Sequence, residues 1–235
     1  MDPYLTDEER WQQVKDWWKK NGTMLIVGVV IGLVIVYQWR NYQTNKSHKM
    51  TSAAISYNVL RGLMYRRALS FAAKKADADK ADEAVVAKAK DIIKNYESTP
   101  YSVDASLLLA KVYVEKNNLK SAQTYLEWAL QKLSEDNYKY YVVKMRLARV
   151  LRDKGEYDSA LSQLKIQPPE PMKKYFDFIK GTAHEGKKEC AIARENYQKS
   201  IDQINKELKA DKENQAQQQE LKTLVEQRLE NVSNC

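Results

Sequence analysis

The sequence predicts an all-α protein, with a transmembrane helix near its start followed by a solenoid of helix pairs. Three observations predict it. Residues 22–39, GTMLIVGVVIGLVIVYQW, carry no charge. Further on, small residues recur twelve positions apart in three related stretches. Seven Gly and five Pro in 235 residues are too few for the tight turns of an all-β fold.

The uncharged run has three readings: a cleaved signal peptide, a buried core helix or a permanent anchor. A signal peptide needs a small-residue cleavage site just past a short apolar stretch, and this run ends in Trp39-Arg40 instead. A core helix fits the fully apolar part, Met24 to Tyr37, by length alone. The flanks favour the anchor. As a helix, residues 22–39 rise roughly 27 Å, close to the apolar thickness of a bilayer. Trp17 and Trp18 stand on one side, and Tyr37, Trp39 and Tyr42 on the other, as interfacial aromatic belts do. Lys19, Lys20 and Arg40 extend outward from the ends. Within the anchor, Gly28 and Gly32 form a small-residue pair on one face that admits close approach by another membrane helix.

Residues 1–21 read as an amphipathic leader. Thr6 and Glu9 have capping-box spacing, and Trp11, Val14 and Trp18 share one face. Gly22 is expected just past the helix end or at a kink into the anchor. Lys and Arg are nearly balanced across the anchor, so orientation is not set by charge.

After the polar stretch NYQTNKSHK, Ile55, Val59 and Leu63 space as the apolar face of a helix. AAKKADADKAD reads as a joint before a second helix carrying Val85, Val86, Ile92, Ile93 and Tyr96, with Pro100 marking its end. Self-similarity then takes over. LLLAKVYVEKNNLKSAQTYLEWAL (107–130), MRLARVLRDKGEYDSALSQL (145–164) and KGTAHEGKKECAIARENYQKSI (180–201) align. Their paired small residues are Ala110 and Ala122, Ala148 and Ala160, and Gly181 and Ala193. Small residues let two antiparallel helices close up where they cross, while large neighbours fill the flanks. Leu109, Tyr113, Leu126 and Ala129 in the first copy complete the tetratricopeptide pattern. The repeats are expected at 101–133, 138–167 and 172–204, with QPPEP (167–171) dividing the last two. A helix over 216–232, striped with Leu221, Leu224, Val225, Leu229 and Val232, is expected to cap the array after the exposed joint KADKENQAQQQ.

The layout resembles the YfgM family, ancillary subunits of the bacterial SecYEG translocon. The pieces that carry the resemblance are WWKKNG (17–22), GVVIGLVIVYQWRNYQ (28–43), AAISYNVL (53–60), RLARV (146–150) and GEYDSAL (155–161). It implies a cytoplasmic leader (1–21), one inner-membrane anchor (22–43) and a periplasmic repeat domain (44–235). It also implies partnership with SecYEG and a PpiD-type periplasmic chaperone, and handover of translocated proteins. An alternative in the same family is control of an envelope-stress phosphorelay through the leader.

The residues themselves point to binding rather than catalysis. The two histidines, His48 and His184, have no metal-ligand spacing, and no phosphate loop or nucleophile elbow is present. His184 is expected to pack at a degenerate repeat position. The net charge of +8 is spread as lysines interspersed with acids, a solvated surface rather than a nucleic-acid footprint. No cofactor is expected. The first helices of the pairs should turn Lys111, Val114, Arg149, Arg152, Tyr175 and Phe178 toward a groove for unfolded or translocating polypeptide. The competing expectation leaves these arginines solvated and Phe178 in the core. Cys190 and Cys235 are expected as free thiols by default, with a disulfide that ties the capping helix to the last repeat as the alternative.

Overall fold

The computed structural model describes residues 6–72, 78–210 and 215–232, and every regular element among them is a helix. The chain divides into two compact units, residues 1–52 and 53–235.

Helix α1 (Asp7–Ala72) opens with Asp7, Glu8 and Glu9, acids that complement the positive end of the helix dipole. The Glu9 carboxylate accepts from the Thr6 backbone N–H at 3.0 Å and from its hydroxyl at 3.1 Å. Half of the expected capping box therefore forms, because the hydroxyl donates to the carboxylate instead of accepting from a free N–H. No break occurs at Gly22, which corrects the helix end expected there, and the polar NYQTNKSHK stretch is helical too. The reason is that no Pro lies between Pro3 and Pro100, so every backbone donor in the stretch can continue the ladder. Only 6% of the most apolar window of α1 is buried by the rest of the chain. A soluble core helix would be covered; this one presents Met24 through Tyr37 outward, as an anchor needs.

The second unit begins with residues 53–72 of α1. Its further helices are α2 (Ala78–Asn95), α3 (Pro100–Glu115), α4 (Leu119–Gln131), α5 (Tyr138–Asp153), α6 (Tyr157–Gln163), α7 (Glu170–Gly186), α8 (Cys190–Ala210) and α9 (Gln215–Asn231). Pro100 opens α3 rather than closing α2: α2 stops at Asn95, and Pro fits the first turn because its missing N–H is unpaired there anyway. Part of the AAKKADADKAD joint and of KADKENQAQQQ lies outside the described residues. The glutamines of the latter, from Gln215 on, already belong to α9.

Helices α3–α4, α5–α6 and α7–α8 form successive antiparallel pairs, and their turns are built alike. A residue with positive φ stands five positions before the second small residue each time: Asn117 (φ 55), Gly155 (φ 81) and Lys188 (φ 63). The next residue's N–H closes the turn on the carbonyl five back: Asn118 to Tyr113 at 2.8 Å, Glu156 to Leu151 at 2.9 Å and Glu189 to His184 at 2.9 Å. The small crossing residues Ala110, Ala122, Ala148, Ala160, Gly181 and Ala193 are all buried.

Three cores follow one another along the array. Leu60, Val85, Ala89, Ile92, Ala105, Leu109 and Val112 join the end of α1 to α2 and α3. The largest, from Val103 and Leu126 through Leu147 to Phe176 and Ile179, runs from α3 to α7. Phe178, Ala193, Tyr197, Ile201, Ile204, Val225 and Val232 unite α7, α8 and α9. Two sequence expectations change here. In α1 the buried face is Ala53, Leu60 and Arg67, with Tyr57 and Met64 packed partly beside them, whereas Ile55 and Val59 are 60% and 49% exposed. In α9 Val225 is buried, as is Val232 just past its end, but Leu224 is exposed. The joint between α1 and the core is polar: Arg67, buried, binds Asp82 of α2 and Glu115 of α3, and Lys116 reaches Asp82 at 3.0 Å.

Candidate functional site

The six expected groove residues fall into two places. Lys111 and Val114 stand exposed on α3, and Lys111 lies 3.8 Å from Glu115. Lys111 borders a depression of about 840 Å³ with Arg67, Phe71 and Asp82. The other four lie on α5 and α7, and only some of them face solvent. Phe178 is buried and packs on Tyr197 with ring centroids 6.0 Å apart, so its side chain belongs to the core and leaves the groove set. Arg152 donates to Asp153 at 2.7 Å and to the Thr182 hydroxyl at 3.0 Å, which clamps α5 to α7.

Arg149 and Tyr175 remain. Arg149 is half-buried, and its side chain makes no hydrogen bond or ion pair among the described residues. Burial pushes its guanidinium below the usual range, and the neighbouring Arg152 and Arg146 add to that push. A desolvated cation beside two others wants an anion or a carbonyl dipole. Tyr175, on α7 nearby, is the shared wall of two depressions. One, of about 570 Å³, also has Tyr138, Pro171, Lys174 and Gln218 on its walls; the other, of about 610 Å³, is edged by Leu221 and Leu224 of α9. Lys174 is neutralised by Glu207 across the α7–α8 pair. The buried Gln218 Oε1 has no hydrogen-bond donor among the described residues.

Arg146, Gln218 and Leu224 were missed by sequence reading. Arg146 sat inside the repeat signature RLARV, Gln218 in a glutamine run read as a joint, and Leu224 in a stripe read as core. No local signal separates these positions; for Gln218 and Leu224 the packing of α9 on α8 does.

The remaining candidates are placed plainly. His184 Nδ1 lies 2.6 Å from Glu189 Oε2, so it makes a polar clip across its turn rather than an apolar contact. Gly28 and Gly32 have nothing within 4 Å of a would-be Cβ. Cys190 opens α8 and is not a free cysteine; Cys235 lies outside the described residues. Among the described residues no cluster of three metal-ligating side chains occurs.

Comparison with known proteins agrees with this architecture. The tetratricopeptide repeat-like domain family matches residues 15–234. An ancillary SecYEG translocon subunit of Haemophilus influenzae is 29% identical over 68% of this chain and 71% of its own length. Proteins of the same name from Escherichia coli and Aggregatibacter actinomycetemcomitans are 29% and 28% identical, over 72% and 89% of their lengths. Among solved structures, MamA 41-end from Desulfovibrio magneticus RS-1 superposes with a TM-score of 0.51 at 14% identity, covering 77% of this chain and 93% of that one. That last likeness concerns the fold alone. The chain belongs to the tetratricopeptide repeat-like family, and its curated relatives there are the ancillary SecYEG translocon subunits of the YfgM family.

Proposed function

We propose that this protein is a non-enzymatic, translocon-associated adaptor that holds emerging polypeptide and passes it on. The relatives' shared name supports association with SecYEG, and the apolar part of α1 supports residence in the inner membrane. In this reading the leader is cytoplasmic and the repeat domain periplasmic. A PpiD-type chaperone is a partner, and the Gly28–Gly32 face meets a translocon helix.

The observation that carries the polypeptide-binding part is the surface around Tyr175. An aromatic wall between two depressions offers apolar area, and a partly desolvated Arg149, with no ion pair among the described residues, stands beside it. The Gln218 Oε1, with no donor among the described residues, is left to accept from a backbone N–H of the bound chain. Together these fit an extended chain, read through its amides and carbonyls rather than through one sequence. The phosphorelay reading finds no such support in the relatives' names.

The test is binding of a reduced, carboxymethylated polypeptide to the full chain in nanodiscs. Tyr175→Ala combined with Arg149→Glu should weaken it about tenfold, a loss typical of one aromatic anchor and one charged contact. Unchanged affinity at low salt, where charge effects are largest, overturns the groove.

A further inference from the structure

We propose that the solvent face of residues 55–69 in α1 docks an acidic amphipathic α-helix of another protein. Ile55, Val59, Gly62, Arg66 and Leu69 follow one another at intervals of four, three, four and three residues, the spacing of a coiled-coil seam. They lie opposite the face that Ala53, Leu60 and Arg67 bury against the core. Ile55, Val59 and Leu69 expose 60%, 49% and 52% of their surface. Gly62, in the middle of the seam, has nothing within 4 Å of a would-be Cβ, which leaves a notch for the close approach of a second helix.

Charge selects the occupant. Arg61 and Arg66 beside and within the seam make no side-chain hydrogen bond or ion pair among the described residues, and both are exposed. The sequence holds no Asp or Glu between Asp16 and Asp77. The seam therefore offers apolar knobs with Arg66 among them, Arg61 next to the Gly62 notch, the exposed Tyr65 on its flank and no acid on the same stretch, the complement of a helix with apolar a and d positions and acidic flanks. A second copy of this chain is a poor occupant. Paired in parallel it sets Arg66 against Arg66, and paired antiparallel about Gly62 it sets Arg66 against Val59; neither arrangement brings an acid to the cations. A lipid surface would use an unbroken apolar arc, whereas Arg66 and the Gly62 notch interrupt this one.

The experiment uses the full chain in nanodiscs of zwitterionic or anionic lipid, with a photoreactive residue in place of Val59. Two synthetic helices carry Leu at the a and d positions, one with Glu and one with Lys on the flanks. The Glu helix should crosslink at position 59 and bind about tenfold tighter than the Lys helix. Arg61→Glu with Arg66→Glu should reverse the preference, and Arg61→Gln with Arg66→Gln should abolish it, each with an unchanged unfolding temperature. Equal binding of the two helices overturns the proposal. So does a crosslink from position 59 to lipid in anionic discs, or to a second copy of the chain.

Discussion

Replacing Gly181 by Ala adds one methyl group at the point where α7 crosses α8. The new carbon would lie 2.5 and 2.6 Å from Cε1 and Cδ1 of Tyr197, about an ångström inside ordinary contact. Tyr197 cannot easily retreat. It is fully buried, it packs on Phe178, and its hydroxyl donates to Glu185, which Arg228 also holds at 3.2 Å. Burial first, and then the Glu185 carboxylate, push its phenol far above the ordinary value, so it stays a donor. Overpacking of this kind costs about 1–3 kcal/mol, and the Ala gains back about 0.8–1 kcal/mol of helix propensity over Gly. If the ring moves instead, its charge-assisted hydrogen bond is lost, at about 1.5–3 kcal/mol. The net expectation is a loss of about 0–2 kcal/mol, or up to about 8 °C in Tm for a chain of this size. Gly62→Ala is the control. Nothing lies within 4 Å there, so only the propensity gain applies, and Tm should rise by about 2 °C. Thermal unfolding of the full chain in detergent, followed by circular dichroism, reads both. If the two substitutions move Tm in the same direction, the steric argument at Gly181 is wrong.

Asp82→Asn leaves the buried Arg67 short of a charge and should cost about 3 kcal/mol at neutral pH. Burial pushes the Asp82 carboxyl up, but hydrogen bonds from Arg67 and Lys116 outweigh it and leave it below its ordinary value. Its stabilisation is therefore present above the ordinary carboxylate range and lost as pH falls through the lowered value, so parent and variant should converge in acid unfolding curves. Protease added to intact spheroplasts should digest the repeat domain and leave a small anchored fragment; protection would reverse the proposed topology. Gly28→Leu with Gly32→Leu should reduce co-purification with translocon components while leaving insertion intact, and unchanged recovery would make the glycines mere composition. For Cys190 and Cys235, alkylation without reductant followed by mass measurement should add no label; two labels would exclude the bridge, whose loop is worth about 4 kcal/mol if unstrained.

The sequence by itself determined the elements that rest on periodicity. An uncharged apolar run with aromatic flanks reads as an anchor because a bilayer has a fixed thickness. Ala110 with Ala122 and Ala148 with Ala160 read as helix crossings because only small side chains allow that approach. Even the degenerate third copy was legible, since Gly181 and Ala193 keep the interval. What a periodic pattern does not carry is which of two apolar faces finds a partner. In α1, Ile55 with Val59 and Ala53 with Leu60 lie on equally periodic faces, yet the core took Ala53, Leu60 and the ion-paired Arg67, because Asp82 and Glu115 of later helices fix the rotation of α1. The groove divided for the same reason. Arg149 and Arg152 are indistinguishable by spacing, but Thr182 and Asp153 stand within reach of only the second. Likewise three unlike residues, Asn117, Gly155 and Lys188, adopt one left-handed turn because the crossing of each helix pair demands it. Partners drawn from distant parts of the chain decide these choices, and they exist only once the helices have packed.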